Sequence, residues 1–557
     1  MNKNAAILFE ADGYLLNNAK LMGRHSAGNG FLRAAIAGCQ NETLYGYTPF
    51  AKSAEVFTQV VKAANPNLQT SWIPADRLDL LTEVGTLYLP GPGLDEASRL
   101  RLRAGCNAYS LVGVTHTTAS HGAMESIVNL LSAPVMPWDA LICTSKAVVD
   151  SVKVMLEAEL EYLHWRFGQS LKVTFPQLPI IPLGVHCDDF YFTPQQKQAS
   201  RQRLAIMEDE IVVLFVGRLS FHAKAHPHAM YLGLQAAAEK TGKKITLVQS
   251  GWFANEFIEN GFKDGAKQFC PDVRAIFVDG RGEQARFNWA AADIFISLSD
   301  NIQETFGITP VEAMAAGLPV VVTDWDGYKD TIRDGIDGFR IPTWMPPPSA
   351  GESFARAYEA KMDNYDMYCG INCQTVSVDV QVLTDRLCDL VLQPELRAQM
   401  GQAGLQRARE LFNWSGIYRQ YQDLYQELSQ MRKFAPKLGW QAVIANTPKM
   451  SAARLDPYKV FGHYPTGLIT QTTQVSLTNR ADLQDYPALV NHNLFNYAVK
   501  ELPSLSVVEK IIQALTERVL SVQDLGVKIA LSFADTVLAL SFLAKIGFVR
   551  FYTLASE

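Results

Sequence analysis

The sequence predicts an α/β protein of two parallel sheets with crossover helices, followed by a small, mostly α-helical C-terminal domain. Three observations predict it. Through the first 430 residues, short apolar runs of buried-strand length alternate with helical periods, the pattern of parallel strands covered on both faces. The series of strands is interrupted by the polar stretch 192–200. Beyond residue 450 the alternation gives way to three helical periods and one terminal strand. A chain of 557 residues also exceeds what one hydrophobic core organises.

The first set of strands reads as Ala5–Phe9, Thr86–Leu89, Ser110–Thr115, Ala140–Thr144 and Ile180–Leu183. The second reads as Ile211–Val216, Lys244–Gln249, Ala275–Asp279, Ile294–Ser297 and Val320–Thr323. A domain boundary near 190 follows, giving an N-terminal domain over 1–190 and a second over 191–404. The helical run Glu395–Met431 closes the pair, its 405–431 part returning to the first domain. Residues 432–450 read as a linker and 346–379 as an insertion. In the tail, Val507–Leu520, Val522–Ala530 and Ala534–Ile546 read as helices and Phe548–Tyr552 as a strand, a winged-helix-like set without its second hairpin strand.

Charge and composition exclude several classes. The net charge of −6 offers no global attraction to nucleic acid or anionic lipid. Residues 451–557 hold nine Lys+Arg against nine Asp+Glu, whereas a DNA-binding module is normally basic. The tail is therefore expected to contact a protein, an acceptor or another subunit. The N-terminus lacks the charged-then-apolar pattern of a signal peptide, and the apolar runs are too short to span a bilayer. Eight cysteines without metal spacing read as reduced thiols in a cytoplasmic protein. His222, His226 and His228 lack the fourth ligand and the spacing of a zinc site, so no metal is expected.

The chemistry concentrates in Glu304-Thr305-Phe306-Gly307-Ile308-Thr309-Pro310-Val311-Glu312. A carboxylate and close-approach amides precede a helix, and a second carboxylate falls in its first turn. Such a site suits a polyhydroxylated ligand that carries an anion, its hydroxyls donating to carboxylates and its charge meeting the positive helix end. Thr309-Pro310-Val311-Glu312 also fits a capping box, which would explain Glu312 without a ligand. Gly217 and Arg218 end a buried strand, where ligands bind in open α/β sheets. Arg218 brings a fixed fork of donors and Lys224, six positions on, a mobile charge. Trp325-Asp326-Gly327-Tyr328 reads as a turn held by packing.

Taken together, Gly217-Arg218, Lys224, Glu304-Thr305-Phe306-Gly307, Glu312 through Pro319 and Asp334 through Phe339 resemble the donor half of family-4 glycosyltransferases of GT-B fold. Gly28-Asn29-Gly30 (read as a loop after the first strand), His116, Thr144-Ser145-Lys146-Ala147 and Ile181 through Val185 extend the likeness over residues 1–430. The resemblance implies two Rossmann-like domains facing a cleft and a retaining sugar transfer from a nucleotide diphosphate-sugar. Arg218 and Lys224 would hold the diphosphate, Glu312 the ribose hydroxyls and Glu304 the sugar hydroxyls. Phe306 and Gly307 would present amides, with Gly217, Ile308 and Thr309 around the donor. His116 would reach the reacting sugar from the N-terminal domain, and Gly28 and Gly30 would line the cleft. No cofactor is implied beyond the nucleotide-sugar co-substrate. The acceptor, whether glycan, lipid-linked sugar, protein or small molecule, stays open, as does action at the inner membrane face. The same fold hosts phosphorylases, epimerases and sugar-nucleotide sensors. A phosphorylase responds to free phosphate, an epimerase needs no acceptor, and a sensor binds without turnover.

Overall fold

A computed structural model of the chain describes residues 3–16, 23–39, 42–168 and 171–552. These form two compact units, Met1–Ser451 and Ala452–Glu557. The first unit contains two six-stranded parallel sheets. β1 (Ala6–Leu8), β2 (Thr43–Tyr47), β3 (Gln69–Ile73), β4 (Thr86–Tyr88), β5 (Ser110–Val114) and β6 (Ala140–Ile142) lie in the order β3-β2-β1-β4-β5-β6. β7 (Ile211–Val216), β8 (Ile245–Gly251), β9 (Arg274–Asp279), β10 (Ile294–Ser297), β11 (Val320–Thr323) and β12 (Gly338–Ile341) lie in the order β12-β11-β10-β7-β8-β9. Both are doubly wound sheets. Each has a switch point, between β1 and β4 and between β7 and β10, where the chain departs in opposite directions and leaves a crevice at the strand ends. The central strands are buried on both faces: Val213, Leu214, Ile294, Phe295 and Val320–Val322 are closed to solvent or nearly so. This is why they read as continuous apolar runs.

The run Ile180–Leu183 is not a strand. It meets the first sheet through a single bridge from Ile180 to Cys143. Beyond it the Val185 N–H reaches the Phe412 carbonyl at 2.7 Å, and the Trp414 N–H reaches the Val185 carbonyl at 3.1 Å. The two passages between the domains thus run side by side. After the second passage the Trp414–Phe434 helix buries Trp414, Ile417, Tyr418, Tyr421, Leu424 and Leu428 against Phe31, Leu32 and Tyr88 of the N-terminal domain.

Segment 432–450 is not a linker. Arg432 belongs to the Trp414–Phe434 helix, a 3₁₀ turn covers Ala435–Leu438, and a short helix covers Gln441–Ala445. Ala435, Trp440 and Ile444 close over Cys106, Met136 and Trp138, with the two indoles edge-on at 5.9 Å. Buried apolar contacts hold on the domain a stretch that reads from sequence as a tether.

Segment 346–379 folds into the helices Glu352–Glu359 and Tyr365–Gln374, closed at its base by an antiparallel pair, β13 (Thr343–Trp344) and β14 (Ser377–Val378). In the second unit, β15 (Gln474–Leu477), β16 (Leu520–Ser521) and β17 (Val549–Tyr552) form an antiparallel sheet of order β16-β15-β17. It packs with the helices Leu505–Glu517, Val522–Ile529 and Phe533–Lys545. The strand missing from the sequence reading precedes the helices. Val475 of β15 pairs with Leu520 on one side and Phe551 on the other. Among the described residues no single helix is long and apolar enough to cross a membrane.

Candidate functional site

The switch point of the second sheet assembles most of the residues singled out in the sequence. Gly217, Arg218 and Lys224 follow β7, and Gln303 and Glu304 follow its neighbour β10. Gly217 sits at φ +155°, a left-handed setting that favours glycine. Lys224 extends back to pair with the Glu304 carboxylate, so the six-residue spacing from Arg218 still aims its ammonium into the site. The Arg218 guanidinium donates to the Ala223 carbonyl at 2.6 Å and approaches the Gln303 side-chain oxygen at 3.5 Å.

Glu304 is ionised. Burial raises its pKa, but the Lys224 ammonium and the N–H groups of Thr305 and Gly307 outweigh burial and hold it below the usual carboxylate range. The Gly307 amide is thus directed at Glu304. Gly307 has φ +78° and caps the Ile308–Ala315 helix. A side chain there would fall 1.9 Å from the Tyr328 ring, so glycine is required on both conformational and steric grounds. Phe306 is buried in the core, leaving only its backbone to the cleft.

The capping box does not form. The helix starts at Ile308, two positions before Pro310, and its cap is Gly307 with no side-chain cap bond. The Thr309 hydroxyl is buried without a hydrogen-bond partner. Glu312 is therefore the fifth residue of the helix, in its second turn and two positions further along than the capping box would place it. Burial pushes its carboxyl up to about 7, opposed by Lys224 and assisted by Asp189. Asp326 and Asp300 are also raised to about 7, each chiefly by burial. A carboxyl whose folded pKa exceeds its unfolded value binds its proton more tightly when folded, so stability falls as pH rises from about 4 through about 7. Glu312→Gln is expected to remove part of that loss, raising the melting temperature at pH 8 and barely changing it at pH 5. Melting curves across this range check it, and equal shifts at both ends would contradict it.

The N-terminal domain contributes His116, after β5. Burial pushes its imidazole down to about 4 against the raising effect of a hydrogen bond to the Pro90 carbonyl, so it is neutral at physiological pH. Its own carbonyl accepts from the Thr305 hydroxyl at 3.1 Å, and the Thr144 hydroxyl donates to the Thr305 carbonyl at 3.3 Å. Ser145 caps the Lys146–Phe167 helix and also donates to Asp326 at 3.1 Å, while the Lys146 N–H meets Asp330 at 2.7 Å. Asp326, read from sequence as part of a packing turn, lies at φ +41° and is close enough to Glu304 to feel its charge. A non-glycine residue in that region marks a position held by its surroundings. The Asp-Gly turn was its only sequence signal.

Gly28 and Gly30 do not line a cleft loop. Both lie inside the Gly23–Gly38 helix. A Cβ on Gly28 would sit 2.0 Å from the Gly13 carbonyl oxygen, and one on Gly30 would sit 2.4 Å from Trp414 Nε1. Their bareness serves close packing of backbone and of the returning C-terminal helix. His222 lies 3.8 Å from Asp366, the His226 N–H meets Asp300, and His228 packs edge-on with Phe269.

Residues 196–368 match the family model described as glycosyl transferases group 1. Curated proteins similar to this chain include the D-inositol 3-phosphate glycosyltransferase of Geodermatophilus obscurus, 31% identical over 29% of this chain and 36% of that protein. The lipopolysaccharide 1,2-N-acetylglucosaminetransferase of Salmonella typhimurium is 26% identical over 33% of this chain and 48% of its own. The chain spans between 36% and 51% of the length of the first three curated relatives it matches. Among solved structures, Anabaena Alr3699/HepE in complex with UDP and glucose aligns at TM-score 0.48 and 14% identity, over 76% of this chain and 100% of that one. The two doubly wound sheets of the first unit are the GT-B arrangement.

Proposed function

We propose that the protein is a retaining, metal-independent glycosyltransferase of family-4 type, moving a sugar from a nucleotide diphosphate-sugar to an acceptor in the cleft. The observation that carries this reading is the Lys224–Glu304 pair beside Arg218 at the switch point, facing the start of the Ile308–Ala315 helix. With Glu304 ionised, Arg218 and Lys224 leave one net positive charge there, and the helix N-terminus adds to it. That is the environment for a diphosphate whose negative charge grows as it departs. The second oxygen and lone pairs of Glu304 accept sugar hydroxyls, and Glu312, titrating near 7, exchanges hydrogen bonds with ribose.

In the transfer step the bond from the anomeric carbon to the diphosphate oxygen breaks. A bond to the acceptor oxygen forms on the same face, and the acceptor proton passes to the departing phosphate oxygen. His116, neutral and oriented by the Pro90 carbonyl, offers a hydrogen bond to the sugar as the ring becomes cationic. The glycosyltransferase names of the partial curated relatives support transfer over the other reactions of the fold. The eight free thiols support a cytoplasmic site of action.

Thermal unfolding with a panel of nucleoside diphosphates and their sugars tests the reading. One base is expected to stabilise the protein by about 2.7 kcal/mol at a hundred times its Kd. Stabilisation by inorganic phosphate or sugar phosphates, with no response to any nucleotide, would overturn it in favour of a phosphorylase.

A further inference from the structure

The inserted hairpin Glu352–Gln374 touches both domains of the first unit at the edge of this site. From its first helix, the Tyr358 hydroxyl accepts the His121 N–H at 3.0 Å, and its carbonyl lies 3.1 Å from the His121 imidazole. The His121, Tyr358 and Tyr368 rings form a stack, with centroids 3.8 and 4.2 Å apart. From its second helix, Gly370 lies against His222, where a Cβ would fall 2.8 Å from the histidine Cβ, and the Cys373 thiol donates to the Phe221 carbonyl. The hairpin is thereby fastened both to the loop after β7 that carries Arg218 and Lys224 and to the loop after β5 that carries His116.

Tyr365 stands at the centre of these contacts. Its hydroxyl donates to the Gln303 side-chain oxygen at 3.3 Å and lies 3.3 Å from the Thr117 hydroxyl, which is left to donate to it. The same Gln303 oxygen faces the Arg218 guanidinium at 3.5 Å. The Gln303 backbone is fixed in turn, its N–H bonded to the Asn301 side chain at 3.1 Å. A chain of polar groups thus runs from Thr117, next to His116, through Tyr365 and Gln303 to Arg218, next in sequence to Gly217. Two donors converging on one oxygen set the orientation of the Gln303 amide, and the amide sets one side of the guanidinium.

Resting on the proposed transfer reaction, we infer that Tyr365 of the inserted hairpin is a positioning residue, orienting Arg218 through Gln303 for the donor diphosphate. Without the phenol hydroxyl, the Gln303 side chain loses the partner that turns its oxygen toward Arg218. The guanidinium is then held on that side by the Ala223 carbonyl alone and can turn about that contact, and bidentate recognition of a diphosphate depends on the direction of its fork.

The test compares wild type, Tyr365→Phe and Gln303→Ala. Tyr365→Phe removes one oxygen and keeps the ring. Tyr368→Phe is the control, because it removes a phenol hydroxyl from the same helix on a ring that stacks on Tyr358. Binding is measured with the stabilising nucleoside diphosphate and with its nucleoside. Tyr365→Phe is expected to weaken diphosphate binding roughly tenfold, the size of one lost buried hydrogen bond, and to leave nucleoside binding unchanged, with the small fall in melting temperature that loss of the Gln303 and Thr117 contacts brings. Combined with Gln303→Ala it should add little, because the two act through one path. A hairpin that only props the fold would weaken both ligands together, and that result overturns the inference. Equal diphosphate affinity in wild type and Tyr365→Phe overturns it as well. Failure of wild type to bind any nucleotide is a separate outcome that removes the transfer reading beneath it.

Discussion

Glu304→Gln is expected to lower the transfer rate by roughly 10²-fold or more, the scale on which a preorganised polar group acts on a charged transition state, while the fold survives. The amide keeps the shape of the carboxyl, and its oxygen can still accept from part of the set formed by Lys224 and the N–H groups of Thr305 and Gly307, its NH₂ taking the place of the other acceptor. What changes is charge. With the carboxylate gone, Arg218 and Lys224 together present two positive charges where they now present one beside Glu304. Ground-state binding of a diphosphate gains from that change, or is unaffected. The transition state loses, because a sugar turning cationic no longer faces an anion that also accepts its hydroxyls. The kinetic signature is a fall in kcat with KM for the donor unchanged or lower, as when an interaction made mainly in the transition state is removed. Steady-state kinetics with circular dichroism on the same samples checks it. A kcat within twofold of wild type would remove Glu304 from the site, whatever happened to KM.

The motif-bearing half was legible because its strands are closed on both faces, so that Ile211–Val216, Ile294–Ser297 and Val320–Thr323 had to be apolar throughout. The strands that escaped notice have other reasons for their composition. β3 (Gln69–Ile73) is an edge strand that buries only Ile73 fully, so its sequence is mostly polar. β2 carries Gly46, where a side chain would meet the Phe57 ring at 2.7 Å, and a glycine inside a strand reads as a turn. Gly28-Asn29-Gly30 failed for the same reason. Gly28 answers to the Gly13 carbonyl and Gly30 to Trp414, and no local pattern records a contact made nearly four hundred residues away. The candidate site was legible where one residue type served one purpose. Glu312, which local spacing placed in a capping box, could be judged only once the helix start was known. Gln303 and Tyr365 carried no signal, since each matters through a neighbour that the chain reaches only after folding.

The second large effect is structural, and its cause was equally invisible in the sequence. Asp139→Asn is expected to destabilise the N-terminal domain by about 3–5 kcal/mol, the cost of stranding a buried charge. Arg101 and Asp139 are completely buried. They form a two-point pair with the Arg101 nitrogens at 2.5 and 2.7 Å from the Asp139 oxygens. Asp139 also takes the N–H of Leu111 at 2.9 Å and of Met136 at 2.8 Å, joining β5 to the turn before β6. The two terminal nitrogens of Arg101 also meet the carbonyls of Tyr109 at 2.8 Å and Pro134 at 3.1 Å, while its Nε is buried without a partner. Nearby, Arg432 of the returning helix bonds the Gly85 carbonyl and the Ser110 hydroxyl. Burial, reinforced by Arg101 and opposed by Asp139, pushes its pKa down to about 10. Asparagine would keep the size of the side chain but leave two buried guanidinium groups facing no anion. It would also turn an NH₂ toward one of the donors that the carboxylate now accepts. Pairing the change with Arg101→Met should recover much of the loss, because removing both charges avoids the desolvation that removing one exposes. Denaturant unfolding of the two single variants and the double variant measures the coupling. Additive losses in the double variant would show that the pair contributes through packing alone and that its charge is incidental to the domain.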